Sequence, residues 1–182
     1  MKNVLFGKSL RVFIVFLVCI NLCVFIQFAF SRKIKTENYK QNSFGKISDD
    51  YEADEFEILV LINAERTRRG LNQLIADDDV REIARKYSEK MAKENFFSHY
   101  DSDGKSVLER AKAARLKRWS KIGENLFSVE NLADFDDFAV RNWMKSPAHR
   151  ENILDKDWTT TGIGIAESKD GEIFITQIFI KR

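Results

Sequence analysis

Histidine is scarce in this chain of 182 residues, occurring only as His99 and His149. Proline occurs once, as Pro147, and cysteine twice, as Cys19 and Cys23. Both cysteines fall in an apolar run near the N terminus, so the part expected to fold has no disulfide and no thiolate chemistry. That lack permits export as readily as it permits a reducing compartment. No block of like charge stands out. The net charge is +2, with Lys and Arg interspersed among Asp and Glu, which gives no electrostatic case for nucleic acid. There is no phosphate-binding loop, no His-Glu-x-x-His pair and no internal repeat. Ser98 and Ser146 lie close in sequence to the two histidines, but no Gly-x-Ser-x-Gly elbow presents either as a nucleophile.

What is present begins with Lys2, Lys8 and Arg11, followed by an apolar stretch over 12–30 in which only Asn21 and Gln27 are polar. A basic start before an apolar run reads as an export signal, and Ala29-Phe30-Ser31 offers small residues for cleavage after Ser31. The run is also long enough to remain as an uncleaved membrane anchor. A third reading lipidates Cys23, although Leu22 is bulky where a lipoprotein signal has a small residue. The bland alternative is a core helix. Residues 1–31 are therefore a signal or an anchor, 32–54 a polar tether, and 55–182 the folded domain. A domain of about 130 residues buries a sizeable core unaided.

Within that domain, apolar residues recur at helical spacing over 55–69, with Gly70 as the stop. A second helix starts at Asp77, Asp78 and Asp79, where the helix dipole favours acids, and carries the stripe Val80, Ile83, Ala84, Tyr87 and Met91. The stretch 96–106 reads as a loop. Ser106 and Glu109 form a capping box for a third helix over 107–114. A short extended piece covers 122–127, and a fourth helix covers 133–145. Ser146-Pro147 then reads as a side-chain N-cap followed by proline in the first helical position, which puts His149 in the first turn of a short helix. The end changes period. Residues 159–166 and 172–181 read as strands joined by an Asp-Gly hairpin turn. Helices followed by paired strands give an α+β layered domain.

His99, Glu124 and His149 are the candidate site residues, each at the edge of a regular element. Two imidazoles and a carboxylate suit zinc, which takes about three protein ligands at a catalytic site. The local spacing carries no metal signature. Each histidine reads equally as a loop or turn anchor, and Glu124 as a buried carboxylate bonded to backbone N–H groups.

Taken in order, Ile62-Asn63-Ala64-Glu65-Arg66, Phe97-Ser98-His99, Gly123-Glu124-Asn125-Leu126, Trp143 through Leu154, Gly162-Ile163-Gly164-Ile165 and Thr176-Gln177-Ile178-Phe179 resemble the CAP superfamily, also called the SCP domain. Its members include cysteine-rich secretory proteins, insect venom antigens and plant pathogenesis-related proteins. The likeness is to the small, cysteine-free bacterial members. The resemblance implies a three-layer α-β-α sandwich with a central antiparallel sheet. It also implies a cleft built around two histidines, matched by His99 and His149, and two acids. Glu124 matches one acid, while the place of the other is held by Ser146. Glu109 is a substitute carboxylate that no motif supports.

Three functions follow as expectations. The first is an exported, surface-tethered binding module whose cleft of His99, Glu124, Ser146 and His149, with adjacent grooves, recognises a lipid or sterol-like molecule or a host protein. The membrane is met through the N-terminal segment, and no nucleic acid is bound. The second is a protease-like hydrolase in which His99 and His149 hold Zn2+ and Glu124 is the general base. The third is a purely structural hydrogen-bonded knot of the same residues. With no intact nucleophilic triad and one acid of the cleft missing, an enzyme is the lesser expectation.

Overall fold

The computed structural model describes residues 51–182. The signal or anchor, Cys23 and nearly all of the tether lie outside the described residues. Helix α1, Glu52–Thr67, starts within the last residues assigned to the tether, because Glu52, Asp54 and Glu55 give it an acidic first turn. Strand β1, Ile75–Ala76, leads into α2, Asp78–Glu94, whose N-cap Asp77 accepts from the Val80 N–H at 3.0 Å. Helix α3, Val107–Ala113, opens with the expected capping box of Ser106 and Glu109. Strand β2 is Lys121–Glu130, followed by α4, Phe135–Lys145, and α5, Pro147–Leu154. Strands β3, Thr160–Glu167, and β4, Glu172–Lys181, form the hairpin, with Gly171 at φ +87° in its turn.

The sheet order is β1-β3-β4-β2. The three long strands are antiparallel, as expected, but β1 runs parallel to β3 over two residues, so the sheet is mixed. The expected extended piece over 122–127 is a ten-residue strand because β4 pairs with all of it, from Lys121 opposite Lys181 to Glu130 opposite Glu172.

Alternation along β4 sets the layers. Ile175 and Phe179 join Ile58, Ile62, Trp143 and Ile153, which belong to α1, α4 and α5. Ile178 and Ile180 join Val80, Ile83 and Ala84 of α2 on the other face. Each fully buried Val, Ile or Phe side chain among these contributes about 1.5–3 kcal/mol. Helix α2 lies unusually close to β3. A Cβ on Gly162 would sit 2.2 Å from the Arg81 nitrogen, and one on Gly164 would sit 2.0 Å from that of Arg85. Only glycine permits this approach.

Arg66 reads from sequence as a last-turn cation suited to the helix dipole. It is instead fully buried, and its guanidinium donates to the carbonyls of Asn72, Ile153 and Asp155. It ties α1 to the end of α5.

Candidate functional site at the outer edge of β2

Strand β2 is an edge strand, so loops from both helical layers meet beyond it. Successive side chains of β2 point to opposite faces. Glu124 faces the α2–α3 layer and Asn125 faces α5. Asn125 donates to the His149 carbonyl at 3.1 Å, and Asn152 donates to the Glu124 carbonyl at 3.1 Å and to the Asn125 Oδ1 at 2.9 Å. The start of α5, with His149, is thereby fastened to β2.

From the other layer comes the loop between α2 and α3. The Asp101 carboxylate organises it, accepting from the backbone N–H groups of Asp103 at 3.0 Å and Lys105 at 2.8 Å, and from Lys90 at 3.2 Å. The loop delivers His99, whose Nδ1 lies 2.8 Å from Glu124 Oε1. An ionised carboxylate only accepts, so Nδ1 carries the proton and Nε2 is the ring nitrogen that Glu124 does not engage. The other Glu124 oxygen accepts from Arg110 Nη2. Arg110 also donates to the carbonyls of His99 at 3.2 Å and Lys105 at 2.9 Å. Its guanidinium carbon lies over the Tyr87 ring, 3.3 Å from the ring centre. Tyr87 donates to the Ser98 carbonyl, and burial pushes its phenol up to about 12.

The Glu124 side chain is 3% exposed, whereas that of His99 is 51% exposed. The anion is thus a covered support and the imidazole is what it presents. Burial first, and then the charge of His99, hold His149 below the ordinary imidazole range. The structure therefore brings His99 and Glu124 into contact and sets His149 within electrostatic reach of His99. Ser146 stands half-buried at the junction of α4 and α5. It occupies the N-cap position but makes no side-chain capping bond, a correction to the sequence reading. Glu109 is spent in its capping box with Ser106 and supplies no carboxylate to the cleft. Arg110 was not singled out from sequence, where it is one more cation on a short helix.

A family model for the cysteine-rich secretory proteins, CAP, matches residues 59–179. The chain belongs to the CAP family. Among CAP relatives, the uncharacterized Bacillus subtilis protein YkwD is 32% identical over 141 residues, covering 78% of this chain and 52% of that protein. The uncharacterized B. subtilis membrane protein YlbC is 34% identical over 128 residues, covering 70% of this chain and 34% of that protein. The chain thus spans about half the length of one and a third of the other. An extracellular SCP-domain protein of Bacillus anthracis superposes with a TM-score of 0.64 at 26% identity, over 76% of this chain and 45% of that one.

The CAP resemblance brings zinc into question. Among the described residues, no group of three His, Cys, Asp or Glu side chains is placed to hold a metal ion. Glu124 is not a free third ligand, because one oxygen is held by a cation and the other by an imidazole N–H. The donor set does not fit a three-ligand catalytic zinc centre.

Proposed function

We propose that this chain is an exported, surface-tethered CAP module that binds an extracellular ligand, of lipid or host-protein class, in the cleft at the β2 edge. The observation that carries this reading is the double engagement of Glu124. A general base needs a free oxygen within reach of a proton, and both oxygens of Glu124 are occupied. The carboxylate instead fixes the His99 ring, which makes the cleft a preorganised recognition surface.

Phe97 and Tyr100 flank His99 and are 51% and 61% exposed. Exposed aromatic side chains close in sequence to a polar ring suit a ligand with an apolar body and one hydrogen-bonding group. Export is supported by the basic and apolar N-terminal sequence, together with relatives described as extracellular or membrane proteins.

Isothermal titration of the full chain against sterols, fatty acids and extracellular-matrix proteins tests the reading. Saturable binding is expected with one class, weakened about tenfold in Tyr100→Ala by the loss of buried ring area. Heat of binding absent from every class would remove it.

A further inference from the structure

The sheet has a second outer edge, at β3, on the far side from the cleft. There β1 covers only Thr160 and Thr161. The Asp77 N–H donates outward to the Thr161 carbonyl at 3.0 Å, and the Ile165 N–H donates outward to the Glu55 carboxylate at 3.2 Å. Alternation then directs the N–H and C=O of Ile163 to the same outer side. Neither group has a hydrogen-bond partner among the described residues. A strand edge of this kind is a template for another chain.

A groove of about 520 Å3 lies against that stretch. Its floor includes Gly162 and Ile163, and its walls are the first turns of α1 and α2. One wall carries Phe56, which is 65% exposed, with Leu59 beside it. Four carboxylates line the groove, those of Glu52, Glu55, Asp77 and Asp78, with the guanidinium of Arg81 among them; Asp77 is paired with Arg182 at 2.6 Å, so Glu52 and Asp78 are the two that Arg81 alone offsets. Glu55 is committed at the closed end to Arg85, by bonds of 2.7 and 2.6 Å. At the mouth, Arg81 reaches across to Glu52 at 3.1 Å and to Asp78 at 2.8 Å. These are exposed pairs, of a kind that holds little.

We propose that this groove binds a short extended peptide segment carrying a basic residue next to an apolar one. One residue of the peptide pairs through its backbone with Ile163, as in strand addition. Its apolar side chain packs on Phe56. Its cation takes the place of Arg81 between Glu52 and Asp78. The closed end at Glu55 and Arg85 limits the paired stretch to the neighbourhood of Ile163. The site is separate from the His99 cleft and does not depend on what that cleft binds.

The probe is a dye-labelled, end-blocked hexapeptide of alternating lysine and valine, titrated into the full chain and followed by fluorescence anisotropy. Saturable binding is expected. Phe56→Ala, at an exposed position, should weaken it about tenfold through lost apolar contact. Arg81→Ala should strengthen it by freeing two carboxylates and removing a like charge. His99→Ala should leave it unchanged. An alternating glutamate–valine peptide should not compete, and a peptide N-methylated at alternate backbone nitrogens on the pairing edge should bind at least tenfold more weakly. Equal binding by the N-methylated peptide, indifference to Phe56→Ala, or no anisotropy change at millimolar protein would each overturn the proposal.

Discussion

Arg110 and Glu124 form the covered ion pair on which the cleft rests, their side chains 10% and 3% exposed. Arg110 comes from α3 and Glu124 from β2, and between them they fix His99 by its Nδ1 and by its carbonyl. The visible imidazole is positioned by a charge pair that solvent hardly reaches.

Arg110→Ala should therefore destabilise the domain by about 3–5 kcal/mol, because it leaves a buried carboxylate without its cation. Urea denaturation followed by tryptophan fluorescence measures this. The double variant Arg110→Met with Glu124→Gln should recover part of the loss, since no uncompensated charge remains. A single-variant loss below about 1 kcal/mol would place the pair among weak surface bridges.

The histidines and Glu124 were legible because the motifs around them follow the CAP order. Arg110 was not, because an arginine on a seven-residue helix has the same local signature whether it faces solvent or a carboxylate. Arg66 misled for a related reason. Its position in the last turn suits the dipole, yet tertiary contacts with the carbonyls of Asn72, Ile153 and Asp155 bury it. The hairpin announced itself through Asp170-Gly171 and alternation. Strand β1 could not, since two residues carry no period. Of β2, the stretch 122–127 was legible, but its ends, Lys121 and residues 128–130, are set by pairing with β4, which lies far away in sequence.

The depressed pKa of His149 gives stability a definite pH slope. The folded value lies below the unfolded 6.5, so between the two the unfolded chain binds more protons. The His149 contribution is complete above about pH 6.5 and is lost as pH falls through the folded value. Glu55 acts in the opposite sense at lower pH, because burial raises its pKa despite Arg85. Its contribution is present below the unfolded 4.5 and is lost as pH rises through the folded value. The difference between wild type and His149→Gln isolates the histidine. Melting temperatures from pH 5 to 8 should fall toward the acid end more in wild type than in the variant. His99→Gln should remove only the smaller share of the slope, since burial is the larger cause. Identical slopes in all three proteins would contradict the assignment.

Ser146 separates a residue's position from its bond. Loss of a side-chain N-cap costs about 0.5–2 kcal/mol. Ser146 holds that position in extended backbone conformation but makes no side-chain capping bond, and Pro147 supplies the helical start. Ser146→Ala should change stability by less than about 0.5 kcal/mol, the range of ordinary surface substitutions. A loss of about 1 kcal/mol or more in thermal or urea unfolding would show that the hydroxyl caps α5 in solution.

Zinc tests the donor count. A ligand present at a hundred times its dissociation constant stabilises the folded state by about 2.7 kcal/mol, enough to move a melting curve of a domain this size by several degrees. With Glu124 held by Arg110 and by the His99 N–H, the described residues offer two imidazoles and no group of three His, Cys, Asp or Glu side chains placed for a metal, so micromolar zinc should leave the melting temperature of wild type where it is. His99→Ala with His149→Ala is the control for metal bound elsewhere on the surface. A shift in wild type that disappears in the double variant would show that two imidazoles suffice. It would also require water or ligand to complete the coordination, and it would return the hydrolase reading to consideration, with Glu124 orienting His99 through Nδ1 as carboxylates do behind metal-bound histidines.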